Sequence, residues 1–322
     1  MKIHKYKNMR KIYSIATLFL FFLSTAATAQ ETEIKMGHKN NNKFKQLKDE
    51  FATPNSQHTA SGVPGVNYTQ QQVDYDMDII LDDANQKLSG NESIVYYNNS
   101  SDVLEYLWVQ LDQNKRALDS KSPDIKGGGP EIIYSPEKFA SNFIDKPFDG
   151  GFNIIHVKDT KGNDLSYKIN RTMMRIELPK PLASGKKFKF EIQWWYNINN
   201  HVPQRDRSGY EHFDVDGNNL YVIAQFYPRL AVYDNIEGWQ NMQFWGRSEF
   251  ALEFGDFNVN ITTPKDHILN ATGILTNAKK VLTKIQLERL ELAKKSFNKP
   301  VIIVTQEEAI KAEKKNSTET KI

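Results

Sequence analysis

From Gln72 to Asp82 the chain reads QVDYDMDIILD, apolar and acidic side chains in near-strict alternation. Val73, Tyr75, Met77, Ile79 and Leu81 fall on one face, and Asp74, Asp76, Asp78 and Asp82 on the other. A period of two marks a strand with one face buried. It recurs in pieces as far as residue 273, and no other feature restricts the fold as strongly. The Asp row reads as a solvated face rather than a cation site, because successive side chains on one strand face do not converge on a point.

DDANQK then turns the chain, and LSGNESIVYYN returns as the partner strand. Leu104–Asn114 is apolar on both faces and reads as a central, covered strand. FNIIHVKDTKGNDLSYKI reads as strand, turn and strand, and TMMRIELPKPLASGKKFKFEIQWWYNI as a further hairpin. DVDGNNLYVIAQFYP opens with a turn and continues as a strand. GRSEFALEFGDFNVNITTP carries two strand-like pieces joined near Gly255, and ILNATG closes the series. About ten strands with short turns predict a mainly β fold, an antiparallel sandwich or saddle of sheets.

One C-terminal α-helix is expected. Thr283 and Gln286 have capping-box spacing, with Leu282 and Leu287 placed as a hydrophobic staple. Lys294 and Lys295 follow at the end where the helix dipole favours cations. Val301–Val304 reads as a short strand, after which Thr305 and Glu308 repeat the capping spacing.

The first 29 residues read as a cleavable signal peptide. Lys2, Lys5, Lys7, Arg10 and Lys11 precede the apolar run Ile12–Leu23, and Ala27–Ala29 fits a small-residue cleavage site. Residues 30–64 are polar and read as a flexible leader. The product is expected to be exported, periplasmic or secreted, with no membrane span after cleavage. The chain has no cysteine, which excludes disulfides, thiolate zinc sites and cysteine nucleophiles. Its formal net charge is only +3, with both signs interspersed, so nucleic acid is not an expected partner.

A search for chemistry finds little. Of the seven histidines no pair has the spacing of H-E-x-x-H. His201 and His212 flank a possible turn, but no third spaced ligand accompanies them. DVDGN at Asp214–Asn218 suits a hairpin turn better than a calcium loop, whose later ligands are missing. There is no G-x-S-x-G and no glycine-rich phosphate loop.

The run AQFYPRLAVYDNIEGWQ, Ala224–Gln240, is aromatic and carries both signs of charge. Together with YTQQQVDYDMDIILDDANQKLSGNESIVYYNNSSDVLEYLWVQLDQN, with the GRSEFALEFGDFNVNITTP and NATG segments after it, and with VLTKIQLERLELA, it resembles the N-terminal domain of bacterial zinc aminopeptidases of family M1. The resemblance covers residues 65 to about 310 and lies in the order and spacing of the segments. It implies a β domain over 65–279, with 280–322 as the start of a following catalytic region. It also implies that this domain caps the cleft and anchors the free amino group of a peptide substrate. Gln225 is the position most like the family's amine-binding residue, and Tyr227 is a second substrate-binding candidate. Arg229 and Asp234 are expected to form an ion pair fixing the turn, and Trp239 and Trp245 to pack.

The departure from the family lies in its catalytic motifs. G-x-M-E-N and H-E-x-x-H-x18-E are not in these 322 residues. The resemblance therefore implies a chain truncated before the zinc domain, inactive alone and without a cofactor of its own. Zinc is implied only for that following domain, and the partners implied are peptide N-termini and the zinc domain itself. The alternative from the residues alone is a stand-alone exported β-sandwich module binding peptides or glycans. A scaffolding role in the cell envelope has no repeat or anchoring tail to support it.

Overall fold

The computed structural model describes residues 54–122, 135–136, 139–140, 144, 148–201, 207–246, 251–313 and 320–321. The signal segment, the leader up to residue 53 and the glycine-rich Lys126–Pro130 stretch lie outside these residues. The chain divides into two units, Met1–Tyr68 and Thr69–Ile322. In the first, Asn55 accepts the backbone N–H groups of Gln57 and His58, and His58 bridges to Pro64.

The second unit is mainly β. Its strands are β1 (Gln72–Asp82), β2 (Lys87–Asn98), β3 (Leu104–Gln110), β4 (Asn153–Asp159), β5 (Tyr167–Asn170), β6 (Met173–Leu182), β7 (Lys186–Asn197), β8 (Gly209–Phe213), β9 (Asn218–Val222), β10 (Arg229–Leu230), β11 (Tyr233–Asp234), β12 (Gly238–Trp239), β13 (Phe257–Pro264) and β14 (Thr320–Lys321). One sheet has the order β14-β13-β1-β2-β7-β4 and a second the order β10-β3-β6-β5. β8–β9 and β11–β12 are separate hairpins.

The apolar faces of the two sheets share one core. Val73, Met77, Ile94, Tyr96, Phe190, Ile192 and Trp194 come from the first sheet, and Leu107, Val109, Met174, Ile176 and Leu230 from the second. Two sheets that each bury one alternating face must stack in this way. Gly90 is required within that core: a Cβ there would collide with the Trp194 indole, which lies across β2.

The turn DDANQK joins β1 to an antiparallel β2, and Asp214–Gly217 joins β8 to β9, as the sequence predicts. Several local readings are corrected. The two expected hairpins at 152–169 and 172–198 are crossovers between sheets: β4 and β7 lie in the first, β5 and β6 in the second. Alternation specifies which face of a strand is buried but not which strand lies beside it. The covered strand ends at Gln110, because residues 112–116 form a 3-10 helix.

β13 runs parallel to β1. A long connection permits that direction where a tight turn would not. The pair is held on its outer face by the Asp row, since Asn258 and Asn260 donate to Asp76 and Asp78 at 3.0 Å each.

Among the described residues three helical segments follow rather than one: α1 (Ala278–Val281), α2 (Lys284–Ala293) and α3 (Gln306–Glu313). The expected capping box opens α2, with Thr283 N–H donating to Gln286 and Gln286 N–H to Thr283. The same exchange between Thr305 and Glu308 opens α3. Val301–Val304 is not a strand, and its Ile303 carbonyl accepts from Arg289 of α2 instead. Among the described residues no helix is long and apolar enough to cross a membrane.

Candidate functional site

At the end of β3 the chain turns inward through five polar residues, Asp112–Arg116, all of them buried. Burying this many polar side chains is unfavourable unless each finds partners. Asp112, Gln113 and Asn114 find them in segments far away in sequence. Asp112 Oδ2 accepts a hydrogen bond from Arg229 Nε at 2.8 Å, and Arg229 Nη2 lies 2.8 Å from the same oxygen as an ion-pair contact. Burial pushes the Asp112 carboxyl up, against the pull of that guanidinium and of Lys115.

Gln113 donates from Nε2 to the carbonyls of Ala224 and Gln225, and its Oε1 accepts from Arg116. Asn114 donates to the Arg171 carbonyl at 2.7 Å and accepts the Phe152 N–H at 2.8 Å. Gln225 and Arg171 both have left-handed backbones, with φ of 54° and 55°. A left-handed conformation costs a residue with a Cβ about 1–2 kcal/mol, so surrounding structure must hold it.

The run from Ala224 to Gln240 lies mostly against its own core. Phe226, Tyr227, Tyr233 and Trp239 pack on the core cluster, and Leu230 and Ala231 are buried. β10 pairs with the end of β3, and the Leu230 N–H donates to the Tyr75 hydroxyl at 2.9 Å. Trp239 lies against Tyr96 and Tyr233. Beyond it, Glu253 accepts the Tyr233 N–H, and burial raises its carboxyl to about 7.

No family model and no curated protein matches the chain. Among solved structures it is similar to an M1 zinc metallopeptidase from Deinococcus radiodurans, at 13% identity and a TM-score of 0.37. That likeness covers 66% of this chain and 37% of the other. A mutant of the Deinococcus metallopeptidase bound to a Tyr-Ser-Ala substrate aligns at 13% identity and a TM-score of 0.36, over 67% of this chain and 38% of that one. A two-domain M1 zinc metallopeptidase mutant bound to L-tryptophan gives 12% identity and a TM-score of 0.36, with the same coverage. The chain thus spans well under half the length of the structures it matches.

The sequence-predicted residues fall in different places. Gln225 is half-buried at the start of the run, and no described residue takes its side-chain amide. Tyr227 is wedged among Tyr75, Phe226 and Phe257, and burial raises its hydroxyl to about 12. Arg229 does not pair with Asp234, which corrects that expectation: its partner is Asp112. Asp234 does fix a turn, accepting the N–H groups of Ile236 and Glu237 and the side chain of Gln240.

Trp245 lies under the Arg171 guanidinium, and its carbonyl accepts from Ser122. His212 bonds to Asn219 within its own hairpin. Sequence reasoning missed Asp112, Gln113 and Asn114. The signal available was the polar run DQNKR following a covered strand, which cannot continue that strand inside a core.

Proposed function

We propose that this chain is an exported substrate-anchoring domain that works with a zinc aminopeptidase domain of the M1 type. The observation that carries the reading is Gln225. Its amide is part-exposed and not taken by any described residue, while its backbone is held rigidly from the buried turn. This is also the position at which the sequence resemblance implies an amine-binding residue. A side-chain amide oxygen accepts well from an ammonium group, and a bond to a charged donor contributes about 1.5–3 kcal/mol.

The chain's own part is to receive and orient a peptide's free amino end. Zinc would polarise water and the scissile carbonyl in the partner domain. Among the described residues no group of three His, Asp or Glu side chains comes together to hold a metal, so no step is assigned to zinc here.

The test is a spectroscopic titration of the labelled chain with alanyl-alanine and with its N-acetylated form. Resonances at 224–229 should move with the free amine only, and Gln225→Ala should weaken that binding about tenfold. Equal shifts with both peptides would favour the stand-alone peptide or glycan module. For that module the exposed rings of Phe254 and Phe257 offer a platform.

A further inference from the structure

Among the described residues Gln225 is one of three non-glycine residues with a left-handed backbone, and the only one of these three outside a short connection between consecutive strands. Gln86 and Arg171 each lie in such a connection, β1 to β2 and β5 to β6, where turn geometry requires positive φ. Gln225 lies between β9 and β10, and nothing in AQFYP demands a left-handed residue there. What it does have is a clamp. Successive carbonyls of an extended segment point to opposite sides, so a single donor cannot reach both. Gln113 Nε2 reaches both, at 3.1 Å to Ala224 and 2.9 Å to Gln225. Its amide cannot turn over without losing the bond from Arg116 to its oxygen. The next residue back, Asp112, holds Arg229, so one buried turn fixes both ends of the run from Ala224 to Arg229.

We infer that Gln113 is the positioning residue of this site: its side-chain N–H group sets the left-handed backbone at Gln225 and so aims the Gln225 amide outward at a peptide ammonium group. The inference rests on the reading of Gln225 as the amine acceptor. Gln113 itself, at 2% exposure, touches no ligand.

The decisive variant is Gln113→Glu, which keeps the shape but gives the two carbonyls no donor. The backbone 13Cα and 15N resonances of Gln225 should leave their left-handed values in the unliganded chain. Affinity for alanyl-alanine should fall about tenfold, as for loss of one bond to a charged group. N-acetylated peptide should be unaffected. Unmoved Gln225 resonances, or affinity within twofold of the parent, would overturn the inference.

The amine reading fails separately, if the parent chain itself shows no free-amine-dependent shift. Should Gln113→Glu not fold, Gln225→Gly gives a second measurement. A residue forced left-handed is relieved by glycine, so the folding equilibrium constant should rise about threefold. A fall would overturn the clamp.

Discussion

Glu92 lies in the middle of β2 on the face that Leu88, Gly90, Ile94 and Tyr96 turn to the core. Its cross-strand neighbours are Met77 and Ile192, and neither carboxylate oxygen has a hydrogen-bond partner among the described residues. Burial pushes its carboxyl well above the ordinary 4.5, and the nearby Trp194 indole N–H offsets this only in part. The folded chain therefore keeps a proton that the unfolded chain releases above about pH 4.5. Stability falls as pH rises from there towards the folded value, at about 1.4 kcal/mol per pH unit from this group. Glu92→Gln should remove that slope. Urea melts of both proteins between pH 5 and 7 should show the variant gaining steadily, and a constant difference would mean that Glu92 is ionised in the core. The inward position was legible, since alternation from Leu88 to Tyr96 places residue 92 inside. The role of Gln113 was not: its acceptors lie more than a hundred residues away, and glutamine carries no signature for positive φ.

At the scale of elements, the buried turn after β3 does what a hairpin cannot: it joins β10 to β3 and braces the start of β6 at the same time. The Asp112–Arg229 pair is a buried charged link of this turn. Removing one partner of a buried pair leaves an uncompensated charge, so Arg229→Met should cost about 3–5 kcal/mol by chemical denaturation. The loss should be smaller at pH 5 than at pH 8, because an orphaned Asp112, already raised by burial, can take up a proton. The double variant Asp112→Leu with Arg229→Met should recover most of it; full additivity of the two losses would argue against direct coupling. Period-two patterning and turn residues made the longer strands legible, but not the short β8, β10, β11, β12 and β14, and the strand-like readings near Phe254 and at ILNATG are not strands. Pairing was not, because β4 to β5 and β6 to β7 look like hairpins in sequence and are sheet-to-sheet crossovers. Which sheet a strand joins depends on its apolar face meeting the opposite layer, and that information is not local. The caps of α2 and α3 were legible, since Thr283 with Gln286 and Thr305 with Glu308 complete their exchange within one turn, whereas α1 after Asn277 was not.

At the scale of the whole chain, the proposed role makes two demands. The first concerns the DNA beyond the codon for Ile322. Read in all three forward frames, it should encode an H-E-x-x-H segment within a few hundred codons, and a stretch without one would favour the stand-alone module. The second concerns the surface that such a partner would cover. On β1, Tyr75 and Met77 are buried in the core, yet their register partners on β13, Phe257 and Val259, are 50% and 36% exposed. Phe254, just before β13, is 73% exposed. The apolar face of the sheet thus continues one strand past its cover. Contiguous exposed apolar patches larger than a few hundred Å2 are rare on monomeric proteins and mark interaction surfaces. Covering such surface is worth at most about 2.5 kcal/mol per 100 Å2, at 25 cal/mol per Å2. The isolated chain should therefore bind an apolar-surface dye and associate as its concentration rises. Phe254→Ser with Val259→Thr should at least halve the dye signal while leaving the melting temperature within a few degrees, because neither side chain belongs to the buried core. Dye binding equal in parent and variant would mean that the sticky surface lies elsewhere, and with it the face on which a catalytic partner would dock.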